Sequence, residues 1–291
     1  MLARLTDKKI DLIAGIVFAI VLVLIAFGQI SYNDFFWHLA LGKWMIATRS
    51  FLTHDIFSYT FYGKEWLNST WLFDGVLYLI YRYGSFIGLN LLRLAMLAGT
   101  YFFFAQAAQV KRSASLALAL GILMLTLPSL RSFYRPEITQ PFFVGYFLYS
   151  LYSYAHGRSK KLLYSLPIVE LLWVNTHGSF HFGPILISIF LASELIRQSF
   201  GKSMLMLPSD VIRDKRLRTY LLVLLLTLGA TLINPYGLRL YVLLAGILAD
   251  KESLLTILEW FGTPIPVFFQ VPAECNRHSS SSRLERVRPS C

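Results

Sequence analysis

Charged residues are scarce in this chain of 291 residues: they make up 15% of it, whereas an ordinary soluble domain has about 25%. Cysteine is scarcer still. Only Cys275 and Cys291 occur, both near the end, which excludes a disulfide framework for the main body. Hydrophobic residues, in contrast, reach 56%, and the mean hydropathy is +0.56. Too little polar surface remains to cover one large core in water, so the composition predicts a polytopic membrane protein and excludes a disordered or collagen-like chain.

Long apolar runs divide the sequence into segments that can cross a bilayer, which needs roughly 20 apolar residues. The first covers residues 10–30 and follows three basic residues. It lacks the small-residue exit of a cleaved signal peptide, so we expect a retained helix. The other runs lie at 86–108, 114–129, 138–155, 162–174, 180–196 and 219–233. The sequence therefore predicts an all-α, polytopic transmembrane fold with seven spans.

The distribution of lysine and arginine predicts the orientation of these spans. If the short apolar stretch 71–81 does not cross the bilayer, fourteen basic residues fall on the side of the N-terminus and eight on the other side. A span at 71–81 would reverse this bias. The positive-inside rule therefore favours a juxtamembrane helix at 71–81, a cytoplasmic N-terminus and an extracytoplasmic first loop over 31–83. The basic residues behind the net charge of +11 are then explained by the orientation of the spans, and no nucleic-acid partner is predicted.

The last 21 residues differ in character from the rest. Four serines precede an arginine-rich run that has no apolar period. Such a segment cannot bury enough surface to fold, so we expect residues 271–291 to be disordered. The change is abrupt enough to indicate a foreign or frameshifted end, and we assign residues 1–270 to the transmembrane domain.

Polar residues on the predicted outer side are the candidates for chemistry. Asp34 and His38 are four residues apart and share a helix face, so Asp34 is a candidate base for an acceptor hydroxyl. On helix chemistry alone, a cap at Asp34 and simple packing of His38 explain the pair better. Arg131 and Arg135 lie at the outer end of a span, where a guanidinium group can bind a lipid phosphate with two hydrogen bonds. An ion pair with Glu137 or contact with headgroups explains these arginines equally well.

Two further motifs have simpler interpretations. His177 and His181 have the spacing of a zinc-binding pair, but Gly178 argues against a regular helix and no third ligand is evident, so we interpret them as hydrogen-bonding pocket residues. The segment Asn234-Pro235-Tyr236-Gly237 is first of all a turn, in which proline and glycine supply the backbone shape.

The order of these motifs resembles a group of bacterial integral membrane proteins that is itself similar to the C-type glycosyltransferases. That superfamily includes protein mannosyltransferases, aminoarabinose transferases and oligosaccharyltransferases. The resemblance covers roughly residues 10–262. The blocks that carry it are Tyr32–Trp44, Thr53–Thr60, Trp66–Asn68, Trp71–Phe73, Arg135–Glu137, Trp173–Phe180, Asn234–Tyr241 and Glu259-Trp260.

The resemblance implies transfer of a sugar from a polyprenyl-phosphate donor to an acceptor, on the outer face of a bacterial plasma membrane. It implies Asp34 as the catalytic base, with His38 orienting it. The residues implied for the donor phosphate or substrate are Arg131, Arg135, Glu137, Asn175, His177, Asn234, Tyr236 and Arg239.

Two departures from the pattern modify these expectations. Many members have two acids where this sequence has Asn33-Asp34, which disfavours a divalent metal ion, and no cofactor is predicted. Members are also usually longer, so we expect a C-terminal portion to be missing. The alternative is a non-catalytic membrane protein, either a transporter or an assembly subunit of an envelope polysaccharide system. A transporter should show similarly broken helices in two halves, and no such repeat is evident.

The topology prediction can be tested by labelling single cysteines from outside intact cells. With Cys275 and Cys291 replaced, a cysteine at Ser50 should react with a membrane-impermeant maleimide, and a cysteine at Ser159 should react only after the cells are opened. The reason is that position 50 lies in the predicted outer loop, whereas position 159 lies in a basic loop on the other side. Labelling of position 159 alone in intact cells would reverse the orientation.

Overall fold

The computed structural model describes residues 2–27, 33–108, 135–200 and 214–249, and within these ranges it is all-helical and contains no β-strand. The all-α prediction is confirmed. The chain divides into two compact units, Met1–Ile247 and Leu248–Cys291, and the candidate site lies in the first. The helices of the described ranges are α1 (Leu2–Ala26), α2 (Asn33–Thr48), α3 (Trp71–Ala108), α4 (Thr139–Ala155), α5 (Lys160–Val174), α6 (Phe182–Phe200), α7 (Lys215–Ala230) and α8 (Arg239–Ala249). Short 3₁₀ turns at Pro136–Ile138 and Gly178–His181 precede α4 and α6.

Two stretches of the described helices are long and apolar enough to cross a membrane. They are Trp71–Ala108 and Gly178–Gln198, and Gly15–Ala26 is a shorter apolar helix. Helices also overlap the predicted runs at 138–155, 162–174 and 219–233. The predicted run 114–129 and the tail 271–291 lie outside the described residues.

Helix α3 consists of two parts that meet at Ser85. The backbone angles of Ser85 are φ 51° and ψ −150°, which do not belong to a helix and are strained for a residue with a Cβ. The part before the kink, 71–84, contains the stretch 71–81 that the sequence places beside the membrane. The part after it, 86–108, coincides with a predicted span. Ser85 therefore separates the segment that faces the candidate site from the longer apolar one.

Aromatic side chains form the core between α4, α5 and the turn before α6. Trp173 is fully buried and stacks on Phe143, with 5.3 Å between ring centroids, while Phe147 packs edge-on against it. The indole Nε1 of Trp173 donates a hydrogen bond of 3.1 Å to Oγ of Ser179. Because Ser179 lies in the 3₁₀ turn, this bond fixes the position of the neighbouring His177.

Glu170 places a carboxyl group inside the same core. The side chain is fully buried, and neither carboxyl oxygen has a hydrogen-bond partner within the described part of the chain. Gly183 at the start of α6 provides the space, because a Cβ added there would overlap Oε2 of Glu170. Burying a polar group without a partner costs free energy. Glu170 therefore lowers the stability of the helix bundle rather than raising it.

Helices α2 and α3 approach each other closely at Gly42. A Cβ added to Gly42 would overlap the backbone carbonyl of Asp74 in the first turn of α3. Around this contact, Phe35 of α2 packs with Phe73 and Leu77 of α3 in a buried apolar cluster. The close approach brings the N-terminal half of α2 onto the first turn of α3, and the candidate site depends on this arrangement.

Replacing Gly42 with alanine should lower the thermal stability of the purified protein. The added methyl group meets backbone atoms that cannot rotate away, and overpacking of this kind costs about 1–3 kcal/mol. Gly75→Ala is the matched control, since a Cβ at Gly75 meets nothing within 4 Å and alanine favours a helix interior. Melting curves of both variants in one detergent check this. Equal melting temperatures would show that α2 and α3 are not in close contact.

Candidate functional site

An ion pair joins the start of α2 to the turn before α4. Nη2 of Arg135 donates a hydrogen bond to Oδ2 of Asp34, and Nε of Arg135 lies 4.0 Å from a carboxyl oxygen of Glu137. The Arg135 side chain is only 15% exposed, whereas that of Asp34 is 51% exposed. Pro136 follows Arg135 directly and restricts it to the extended backbone that it adopts. Arg135 therefore lies between two carboxylates, both on partly exposed side chains.

A second polar group lies one turn further along α2. Nδ1 of His38 is 2.7 Å from Oδ1 of Asp74, a fully buried residue of α3. The other carboxyl oxygen of Asp74 accepts hydrogen bonds from Nδ2 of Asn68, at 2.8 Å, and Oγ1 of Thr70, at 3.1 Å. Three side chains thus satisfy the buried carboxylate, which holds the His38 ring in one orientation.

Tyr236 extends this network to the turn between α7 and α8. Its hydroxyl donates to the carbonyl of Leu52, at 3.0 Å, and accepts from the backbone N–H of Asn68, at 3.2 Å. Burial raises the pKa of Tyr236, so the hydroxyl keeps its proton. Asn234 shapes the turn by accepting the backbone N–H of Tyr236 at 2.9 Å. Both residues hold the loop after α2 in place.

Asn175 connects three separate segments. Its side-chain oxygen accepts from Nε1 of Trp71 at 2.8 Å, and its amide nitrogen donates to the carbonyls of Leu171 and Ile233, at 2.7 and 3.0 Å. The backbone N–H of Leu72 donates to the carbonyl of Asn175. The oxygen and the nitrogen of this buried side-chain amide therefore both form hydrogen bonds, and Asn175 holds the start of α3 against the end of α5.

His177 lies at the start of the 3₁₀ turn before α6, and its Nδ1 is 2.6 Å from Oγ of Ser179. The backbone N–H of Ser179 also points to Nδ1, which marks this nitrogen as an acceptor. Burial lowers the pKa of His177, the charge of Glu137 raises it, and His181 and His38 lower it further. With its pKa lowered, His177 is a neutral hydrogen-bonding residue at neutral pH.

Among the described residues, no third metal ligand accompanies His177 and His181. Nδ1 of His181 bonds to the carbonyl of Gly178 at 3.1 Å. Within the described ranges, no group of three His, Cys, Asp or Glu side chains could hold a metal ion. Both histidines form hydrogen bonds within the chain, His177 with Ser179 and His181 with Gly178.

The structure thus brings together part of the predicted set. Asp34, Arg135 and Glu137 form one cluster of charged groups, and His38 lies one turn beyond Asp34 on α2. His177 lies at the turn before α6. Arg239 instead pairs with Glu65 at the surface, and Asn175, Asn234 and Tyr236 hold the surrounding segments. Arg131 lies outside the described residues.

Sequence reasoning missed the residues that orient His38. It paired His38 with Asp34, whereas the structure pairs His38 with Asp74 and Asp34 with Arg135. Asp74 could have been recognised in the sequence as an aspartate inside an apolar stretch, because a carboxylate that becomes buried must find hydrogen-bond partners.

Comparisons with protein-family models, with curated proteins and with solved structures found no match.

Replacing Asp74 with alanine should destabilise the protein much more than replacing Asp34. The first change leaves the partners of a buried carboxylate unsatisfied, at about 1–3 kcal/mol for each group. The second removes one member of a partly exposed ion pair, and such pairs contribute about 0–1 kcal/mol. Unfolding of both variants by denaturant in the same detergent measures the difference. Equal losses would show that the Asp74 network does not fix the site.

Proposed function

We propose that this chain is a membrane glycosyltransferase that moves a sugar from a polyprenyl-phosphate donor to an acceptor hydroxyl. The ion pair between Asp34 and Arg135 carries the proposal. It joins, across 101 positions of sequence, the carboxylate proposed for the acceptor and the arginine proposed for the donor phosphate. A transferase needs these two groups side by side, because the attacking and leaving oxygens flank a single carbon atom.

The proposed setting is the plasma membrane of a bacterium, with about seven spans and a cytoplasmic N-terminus. The two long apolar helices support a membrane location, and the distribution of basic residues supports the orientation. In this topology α2 and residues 71–83 of α3 lie in the extracytoplasmic loop 31–83. The Asp34–Arg135 pair then lies at the outer surface, where the phosphate of a membrane-anchored donor is found.

The proposed mechanism is a direct displacement at the anomeric carbon of the sugar. The acceptor hydroxyl gives its proton to Asp34 while its oxygen forms a bond to that carbon. The bond between the carbon and the phosphate oxygen breaks, and its electron pair leaves with the polyprenyl phosphate. Arg135 holds this phosphate and stabilises the negative charge that develops on it, for which a guanidinium group has five N–H donors.

His38 has a supporting role in this scheme. Asp74 occupies Nδ1, so Nε2 is the ring nitrogen that remains for a substrate hydroxyl. The network of Asp74, Asn68 and Thr70 keeps the ring from turning, which is how a hydrogen-bonding residue is held ready for its substrate. The position of His38 is therefore fixed from inside the protein rather than by Asp34.

Asp34→Asn should lower turnover by about 10²–10⁴-fold, the contribution of a positioned general base. Asparagine keeps the size of the side chain and caps a helix about as well, but it does not accept a proton at neutral pH. The variant should therefore still insert, fold and bind the donor. The assay follows sugar transfer from lipid-linked sugars extracted from the native membrane.

Asp214→Asn is the matched control for this experiment. Asp214 caps α7 by accepting the N–H groups of Arg216 and Leu217, and asparagine can do the same. Transfer by this variant should equal that of the wild type. Near-normal transfer by Asp34→Asn as well would show that Asp34 is not the base and only connects α2 to Arg135, as expected for a non-catalytic membrane protein.

A further inference from the structure

An apolar cavity lies between the last turn of α2 and the first turns of α3. Its volume is about 290 Å³, close to the lower end of the range for pockets that hold small molecules. Aliphatic and aromatic side chains form its wall, among them Ile46, Phe51, Trp71 and Leu79. The only charged side chain among the lining residues is Arg49.

Two contacts hold the aromatic wall of this cavity in place. Nε1 of Trp71 donates to Oδ1 of Asn175 at 2.8 Å, so the indole cannot rotate freely. Phe51 packs edge-on against Trp71, with 4.9 Å between ring centroids. The cavity is therefore formed before any ligand enters, which lowers the entropic cost of binding.

The cavity carries one positive charge, that of Arg49. Arg49 directly follows α2 and has a left-handed backbone, φ 54°, and its side chain is exposed. Within the described part of the chain no ion pair engages its guanidinium group, and no carboxylate lines the cavity. An apolar cavity with one uncompensated cation at its rim is complementary to a molecule with an apolar tail and an anionic head.

This cavity is separate from the proposed transfer site. Asp34 and Thr48, the last residue of α2, lie fourteen residues apart on one helix, which corresponds to about 21 Å at 1.5 Å per residue, and Arg49 directly follows Thr48. A phosphate group bound by Arg135 beside Asp34 cannot reach Arg49. The cavity therefore does not hold the phosphate group that reacts.

We propose that the cavity binds one acyl chain of an anionic glycerophospholipid whose phosphate group pairs with Arg49. The cavity-lining residues 45–51 and 71–79 belong to the loop 31–83 that the sequence places at the membrane surface, where such lipids are the abundant anionic molecules. The lipid fixes the α2–α3 pair against the bilayer. Its binding does not require that the protein transfer sugars.

Photo-crosslinking of the full chain in nanodiscs tests this assignment. The probes are phosphatidylglycerol and phosphatidylcholine with the same diazirine-bearing acyl chain, and the adducts are mapped by mass spectrometry. Phosphatidylglycerol should label the segments 45–51 and 71–79 several-fold more strongly than phosphatidylcholine. Arg49→Gln should reduce this preference about fivefold, the effect of one interfacial cation on an anionic lipid, whereas Arg49→Lys should retain most of it.

Lys43→Gln is the matched control, because Lys43 lies on α2 but lines a different cavity, with Tyr78 and Arg82. It should leave labelling of 45–51 and 71–79 unchanged. Equal labelling by the two phospholipids would overturn the proposal, since the cavity would then take any acyl chain. Displacement of phosphatidylglycerol by an equimolar amount of undecaprenyl phosphate would also overturn it and would assign the cavity to the donor lipid.

Discussion

The buried carboxylate of Asp74 fixes the arrangement on which the candidate site depends. It accepts hydrogen bonds from side chains that lie before it in the loop and on α2, and a carboxylate in this position is stable only when all of these partners are present. The contact at Gly42 allows the two helices to come close enough for this. Through Asn68, the same network reaches Tyr236 and thereby the turn after α7.

The position of Asp34 follows from this arrangement. Once α2 is held on the first turn of α3, its N-terminal end lies beside residues 135–137, and Asp34 meets Arg135. The pair is more open to solvent than the Asp74 network, since half of the Asp34 side chain is exposed. Buried hydrogen bonds thus supply the rigidity, and the exposed pair remains accessible to substrates. This division between a rigid support and an accessible pair is typical of sites that bind and react.

The apolar runs predicted most of the described helices, because span length and hydropathy are properties of a single segment. The spacing of Asp34 and His38 predicted a shared helix face but not their partners, since Arg135 and Asp74 are far away in sequence. Asn175 and Tyr236 were predicted as substrate residues, whereas their polar groups are engaged in joining segments of the chain. A single sequence does not distinguish a polar residue that joins segments from one that faces a substrate.

The proposed transfer is tested most directly in cells, by comparing a strain that lacks the gene with the same strain carrying the complete gene. Lipid-linked sugars and surface glycans are extracted from both strains and quantified by mass spectrometry. We expect the strain without the gene to accumulate one polyprenyl-phosphate-linked sugar and to lose that sugar from its surface glycans, and the complete gene to restore both. Identical lipid-linked sugars and identical surface glycans in the two strains would contradict a glycosyltransferase.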